Sequence, residues 1–206
     1  ELCNRVVAKL RDDEGADWLS GQKTNLRLTA QVTQAVAEAT ADQIDTCIAR
    51  AAGLREKIPA HESFLMAATS NCLSYCHFAR GDFDKSASAA ADAYLFGHRI
   101  GADFATAWAD FMHGLADLGR GRLHSAQEHS TRVSASANGR GAAQSYSAGL
   151  AALLNAEISR QRCAFEDAGT CLEDARFFTG VFGALEPLLL AIRNEAALLS
   201  QAGRGA

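Results

Sequence analysis

One apolar position recurs at a near-constant interval along this chain. Ile44, Phe83, Leu123 and Phe165 are separated by 39, 40 and 42 residues. The surrounding phrases match best between Phe78-Ala-Arg-Gly-Asp-Phe83-Asp-Lys-Ser86 and Leu118-Gly-Arg-Gly-Arg-Leu123-His-Ser-Ala126. Turn glycine, apolar anchor and small residue three further on coincide there, and the same signature returns more faintly over 39–47 and 160–168. A chain that repeats itself at this interval builds one helical hairpin again and again, each burying its apolar face against its neighbours. The expected fold is therefore all-α: a right-handed superhelical array of antiparallel helical hairpins, a tetratricopeptide-like solenoid with a period of about 40 residues. One domain over 1–206 is expected, with an N-terminal helical cap over 1–25 and four and a half hairpins over 26–206.

Apolar periodicity and turn chemistry place the helices at 26–39 and 42–56, 62–79 and 83–99, 103–119 and 123–137, 142–161 and 165–178, with a last helix at 184–202. Ile58-Pro59, Gly101-Ala-Asp103 and Asn138-Gly-Arg-Gly141 mark the breaks. Pro187 falls in the first turn of the last helix, where its missing N–H costs little. Small residues lie seven positions before each anchor-side turn signal, at Ser74, Gly114 and Ala156, with Ser86, Ala126 and Ala168 three after the anchors. They should mark where the two helices of a hairpin cross most closely. Phe83 and Phe165 are read as core, and Phe177, Phe178 and Phe182 as a cap on the fourth hairpin.

Composition narrows the function classes. The 20 basic and 24 acidic residues give a net charge of -4, and no lysine or arginine run offers a phosphate-binding stripe. Direct nucleic-acid contact is not expected, nor is a membrane span, since no apolar run approaches the roughly 20 residues that a helix needs to cross a bilayer. Residues 15–24 end in Gly21-Gln-Lys-Thr but lack the glycine spacing and preceding strand of a phosphate-binding loop. The six cysteines, scattered over an alanine-rich background, fit reduced, cytoplasmic usage. Cys72 and Cys76, four apart, share a helix face with His77 next in sequence, but no second cysteine pair completes a zinc set, so no metal and no cofactor is expected. The histidines at 61, 77, 98, 113, 124 and 129 show no spacing with a nucleophile or ligand, and an enzyme is not expected.

The phrases Ser74-Tyr-Cys-His-Phe-Ala-Arg-Gly-Asp-Phe83 and Gly114-Leu-Ala-Asp-Leu-Gly-Arg-Gly-Arg-Leu123, with the ending Ala191-Ile-Arg-Asn to Arg204-Gly205, resemble one group. They are similar to the tetratricopeptide-like sensor region of MalT-type, LuxR-family transcriptional activators, over residues 26–206. The resemblance implies a sensor segment set between a nucleotide-binding module and a helix-turn-helix module, receiving a small-molecule inducer or a regulatory protein. Residues for ATP hydrolysis or DNA reading are not found in it. The chain opens without methionine and closes on a repeated Arg-Gly signal, so it is expected to be part of a longer polypeptide. The rival expectation is a free-standing scaffold that docks a peptide or protein.

In such arrays the first helices of successive hairpins line the concave side. Stepping three before and one after the small crossing residues gives Asn71 and Tyr75, Phe111 and Leu115, and Leu153 and Glu157, with Trp108 one turn earlier and Arg193 on the last helix. This set is the expected ligand groove: Asn71 orienting by hydrogen bonds, Tyr75 and Trp108 stacking, Glu157 and Arg193 pairing with each other or a ligand charge. The alternative is that Trp108, Phe111 and Leu115 fill the core and Glu157 and Arg193 form a structural ion pair. The apolar face of Leu188, Ile192 and Leu199 is a further candidate, for a homo-oligomer contact.

Overall fold

The computed structural model describes residues 20–138, 146–182 and 185–201, together with Arg5 and Gly203. The described residues form nine helices and no strand: α1 (Ser20–Thr40), α2 (Ile44–Arg55), α3 (Ser63–Ala79), α4 (Phe83–Arg99), α5 (Asp103–Gly119), α6 (Leu123–Asn138), α7 (Tyr146–Gln161), α8 (Phe165–Phe182) and α9 (Leu185–Gln201). All four anchors open the second helix of a hairpin, as the repeat requires. Helix α1 begins at Ser20, six residues ahead of expectation, and α8 runs four further than expected, so Phe182 joins Phe177 and Phe178 on it. Of the expected N-terminal cap, Leu2, Val6, Val7, Leu10, Trp18 and Leu19 lie outside the described residues, as does the loop after Asn138.

Each hairpin closes through the same backbone device. The N–H groups of Gln43, Asp82, Arg122 and Ala164 donate to the carbonyls of Glu38, His77, Asp117 and Ser159 at 2.8 to 2.9 Å. One residue earlier, Asp42, Gly81, Gly121 and Cys163 donate to Ala39, Phe78, Leu118 and Arg160 at 2.9 to 3.2 Å and carry φ of 58°, 79°, 74° and 60°. This paired bonding around one left-handed residue satisfies the last carbonyls of the first helix and turns the chain within three residues. It also fixes the register of the first hairpin, where Asp42-Gln43 stands in place of the Arg-Gly-Asp of the second. Gly203, 40 residues after Cys163, has the same left-handed backbone (φ 68°), and its N–H donates to the Ser200 carbonyl at 3.3 Å.

The chain groups into two compact units, Glu1–Ala102 and Asp103–Ala206. In the first, α1 to α4 enclose three adjoining clusters. Leu28 and Val32 of α1 meet Leu54, Ile58 and Leu65; Ala35 and Ala39 meet Cys47, Cys72 and Cys76; and Ala51 meets Leu73 and Ala89. Between helices the first unit is pinned by ion pairs, Arg50 to Glu38 at 2.7 Å and Arg55 to Asp92 at 2.6 Å. The Glu38 carboxylate is largely buried and receives both Nε and Nη2 of Arg50, the bidentate geometry that makes such a pair worth its desolvation.

In the second unit α5 packs on α6 and α7, α7 on α8, and α9 on both α7 and α8. Its core holds Phe111, Met112 and Leu115 of α5, Val133 of α6, and Leu150, Leu153, Leu154 and Ile158 of α7. Helix α9 buries Ala191 and Asn194 and is clamped to α8 by Arg176 and Glu195 at 3.1 Å, which leaves Ile192 and Leu199 exposed on its other side.

Candidate functional site

The expected groove residues divide between the two units, Asn71 and Tyr75 in the first and the other six in the second. Tyr75 is half-buried and packs against the alanine and thiol cluster of Ala35, Ala39, Cys47, Cys72 and Cys76. Asn71 is half-buried on the same helix. Phe111 is 0% exposed, and Leu115 and Leu153 are buried as well, so these three are core and line no open surface. The reason is helical geometry. Phe111 and Leu153 precede Gly114 and Ala156 by three residues, which puts them on the packed face of the helix rather than beside it. Glu157 takes Arg160, at 2.9 and 2.5 Å, with Gln161 at 3.2 Å. Arg193 is exposed on α9.

Trp108 keeps a place at the surface of the second unit. Half-buried, it leans on Phe111 with ring centroids 5.6 Å apart. One turn earlier on the same face of α5 stands Phe104, 63% exposed, its ring 4.7 Å from that of Tyr146 at the start of α7. Phe104, Tyr146 and Trp108 thus form an aromatic ledge across two first helices. A ring this exposed that still stacks on a second ring presents a flat apolar face to solvent.

A polar cluster lies inside the α5–α6 hairpin. Asp110, His113 and Asp117 recur at three and four residues, one stripe of α5, and this stripe faces His129 of α6. The imidazoles of His113 and His129 lie 4.2 Å apart, centroid to centroid. His129 Nδ1 is 2.8 Å from Asp110 Oδ1, and its Nε2 is 3.8 Å from Asp117 Oδ2. Arg132 Nε donates to Asp110 at 3.0 Å, while Arg120 Nη1 at 3.0 Å and the Ser125 hydroxyl donate to Asp117. One donor atom each from His113, Asp117 and His129 can be chosen so that all lie within 4.8 Å of one another.

Burial and the neighbouring His129 pull the His113 imidazole down to about 4, so it is neutral at pH 7 with a free lone pair. Burial alone would raise the Asp117 carboxyl. Hydrogen bonds from Ser125 and Arg120 outweigh it and hold that carboxyl below the usual range, so it is ionised.

In the first unit Cys47, Cys72 and Cys76 are buried together. Hydrogen bonds from the Cys72 and Cys76 thiols, helped by the charge of Arg50, outweigh burial and draw the Cys47 thiol to about 4. The same bond to Cys47, together with burial, pushes Cys72 and Cys76 up. The third member of this group is Cys47 from α2, not His77, whose imidazole points instead toward Asp82 at 3.7 Å.

The sequence reading gave His113 and His129 no role, yet a signal existed. The two residues stand eight before and eight after Gly121, positions that an antiparallel hairpin sets opposite one another. Asp117 and Ser125, four before and four after, meet for the same reason. Comparison with known proteins adds nothing to this geometry, since no protein-family model and no curated protein matches the chain.

Proposed function

We propose that this chain is a sensing segment of a transcriptional regulator, a helical-hairpin domain that receives a small aromatic or amphipathic inducer and passes its arrival to modules elsewhere in the polypeptide. One observation carries the reading: the ledge of Phe104, Tyr146 and Trp108, which offers stacking surface on the first helices of two hairpins in the second unit. Sites for small molecules are lined mostly by apolar and aromatic groups with a few polar ones, and Arg-Gly hairpins of this length resemble the sensor regions of MalT-type activators. The ledge moves the stacking role from Tyr75, which packs into its own core, to Phe104.

The test is made in the full-length regulator. Phe104→Ala and Trp108→Ala, with helicity checked by circular dichroism, abolish the response of the target promoter to inducer and spare promoter binding. Full induction in both variants removes the ledge from the mechanism.

A further inference from the structure

We infer that the α5–α6 hairpin holds a divalent first-row transition-metal ion between His113, Asp117 and His129. The inference is independent of the aromatic ledge and of what the ledge binds.

The donor set comes first. Two imidazoles and one carboxylate suit zinc and its neighbours in the first row, whereas magnesium and calcium select oxygen-rich sites. Zinc holds imidazole nitrogen at about 2.0–2.1 Å, which sets tetrahedral donors about 3.4 Å apart. His129 Nε2 and Asp117 Oδ2 already stand 3.8 Å apart, and all three donor atoms fall within 4.8 Å. The two imidazoles, 32° apart in plane, turn about their side-chain bonds to aim at one ion.

The surroundings are those of a ligand shell. His129 Nδ1 faces Asp110 Oδ1 at 2.8 Å, which orients the ring so that Nε2 points at Asp117. A carboxylate behind a histidine is the usual way in which the outer shell of a metal site fixes ring and tautomer. Asp110 is itself held by Arg132 at 3.0 Å. Arg132 also lies against the His129 ring, its Nη2 at 2.5 and 3.3 Å from the two nitrogens, and its side chain is nearly half exposed. It supplies positive charge to Asp110, as Arg120 does to Asp117, and can swing into solvent when an ion supplies that charge instead.

A second observation is independent of the distances. The repeat states what this hairpin position needs for folding. Forty residues earlier the counterparts of Asp110, His113 and His129 are Ser70, Leu73 and Ala89, with His77 in the place of Asp117, and Leu73 and Ala89 pack in one apolar cluster with Ala51. Forty-two residues later the counterparts are Ala152, Asn155 and Cys171. The crossing therefore closes elsewhere without two histidines facing each other, and in the first hairpin a carboxylate at the Asp117 position, Glu38, is answered by Arg50; burying Asp110, Asp117 and His129 beside a half-buried His113 is a cost that the fold does not require. Their coincidence on both helices, symmetric about Gly121, is explained by a ligand that binds between them.

The test uses the purified 206-residue chain, stripped with chelator and titrated with Zn2+ against a chromophoric competitor, then with Co2+ alone. One equivalent of Zn2+ binds and raises the thermal midpoint, and Co2+ gives visible d–d bands with no thiolate charge-transfer band. His113→Gln abolishes the saturable binding with unchanged helicity. Asp110→Asn, which keeps every ligand, weakens binding by about 10- to 100-fold. His124→Gln, whose side chain is 94% exposed on the same hairpin, leaves it unchanged. Equal Zn2+ affinity in His113→Gln and the parent chain, or a thiolate-to-cobalt band, overturns the site.

Discussion

Ser74 and Ser86 exchange hydrogen bonds across the α3–α4 crossing: Ser74 Oγ donates to the Ser86 carbonyl at 3.0 Å, and Ser86 Oγ returns one to the Ser74 carbonyl at 2.9 Å. Both residues are fully buried, and both hydroxyls use backbone carbonyls already engaged in helices. The pair ties two axes together where the side chains are smallest. Ser86→Ala removes one bond without creating a large cavity, so it lowers stability by about 0.5–1.5 kcal/mol. Because the two hydroxyls also lie 3.4 Å apart, Ser74→Ala and Ser86→Ala are coupled. A urea-unfolding double-mutant cycle measures both effects, and an unshifted midpoint for the single variants would show that the exchange contributes nothing.

At the equivalent place in the next hairpin no hydroxyl is available, and Gly114 brings the helices together by size alone. A Cβ there would come within 2.5 Å of Leu154 Cδ2 and 3.2 Å of His129 Cβ. Leu154 is fully buried in α7, so its side chain can shift only by disturbing the core around it. Gly114→Ala is therefore overpacked despite its better helix propensity, with a loss of about 1–3 kcal/mol, and Gly114→Leu loses more. Denaturant midpoints decide it: a stabilised Gly114→Ala would mean that helix propensity outweighs packing at this crossing.

These two crossings were legible in the sequence, and the reason is local. An Arg-Gly turn, an anchor two residues on and a small residue seven before the turn all act through neighbours in the chain, so the helices from Ser63 to Gln161 fall where the pattern sets them. The site was read less well, because it depends on which side of a helix faces a partner. Spacing alone sets Phe111 in the groove, although it shares the packed face of Gly114. Spacing along one helix gives His113 and His129 no relation, whereas the turn at Gly121 sets them opposite each other.

His77 gives the α3–α4 hairpin a dependence on pH. Its imidazole lies below its ordinary 6.5, first through burial and then through the charge of Lys85 and, more weakly, Arg80; Asp82 at 3.7 Å pulls the other way without prevailing. A proton therefore binds the unfolded chain more tightly than the folded one. The contribution of neutral His77 is fully present above about pH 6.5 and is lost as pH falls from there through the folded value. His77→Gln, which cannot titrate, flattens the acid side of the stability profile relative to the parent chain. Parallel profiles between pH 7 and pH 5, measured by urea unfolding, would assign the acid sensitivity to other groups.

The turn residues offer a change in the stabilising direction. Cys163 occupies the left-handed position that Gly81 and Gly121 fill in the preceding hairpins, with φ 60° and an exposed side chain. An L-residue in this region costs about 1–2 kcal/mol, of which glycine's greater freedom in the unfolded chain takes back about 0.5–1. Cys163→Gly thus gains about 0.5–1 kcal/mol. Asp42, at φ 58°, gains less on the same exchange, since its short polar side chain tolerates the conformation better. The reverse change isolates the backbone term. A Cβ on Gly121 would meet nothing within 4 Å, so any loss in Gly121→Ala is conformational and amounts to about 1 kcal/mol. Opposite shifts of the thermal midpoint in Cys163→Gly and Gly121→Ala are expected. A lowered midpoint in Cys163→Gly would mean that the thiol makes a contact in the turn that outweighs the backbone strain.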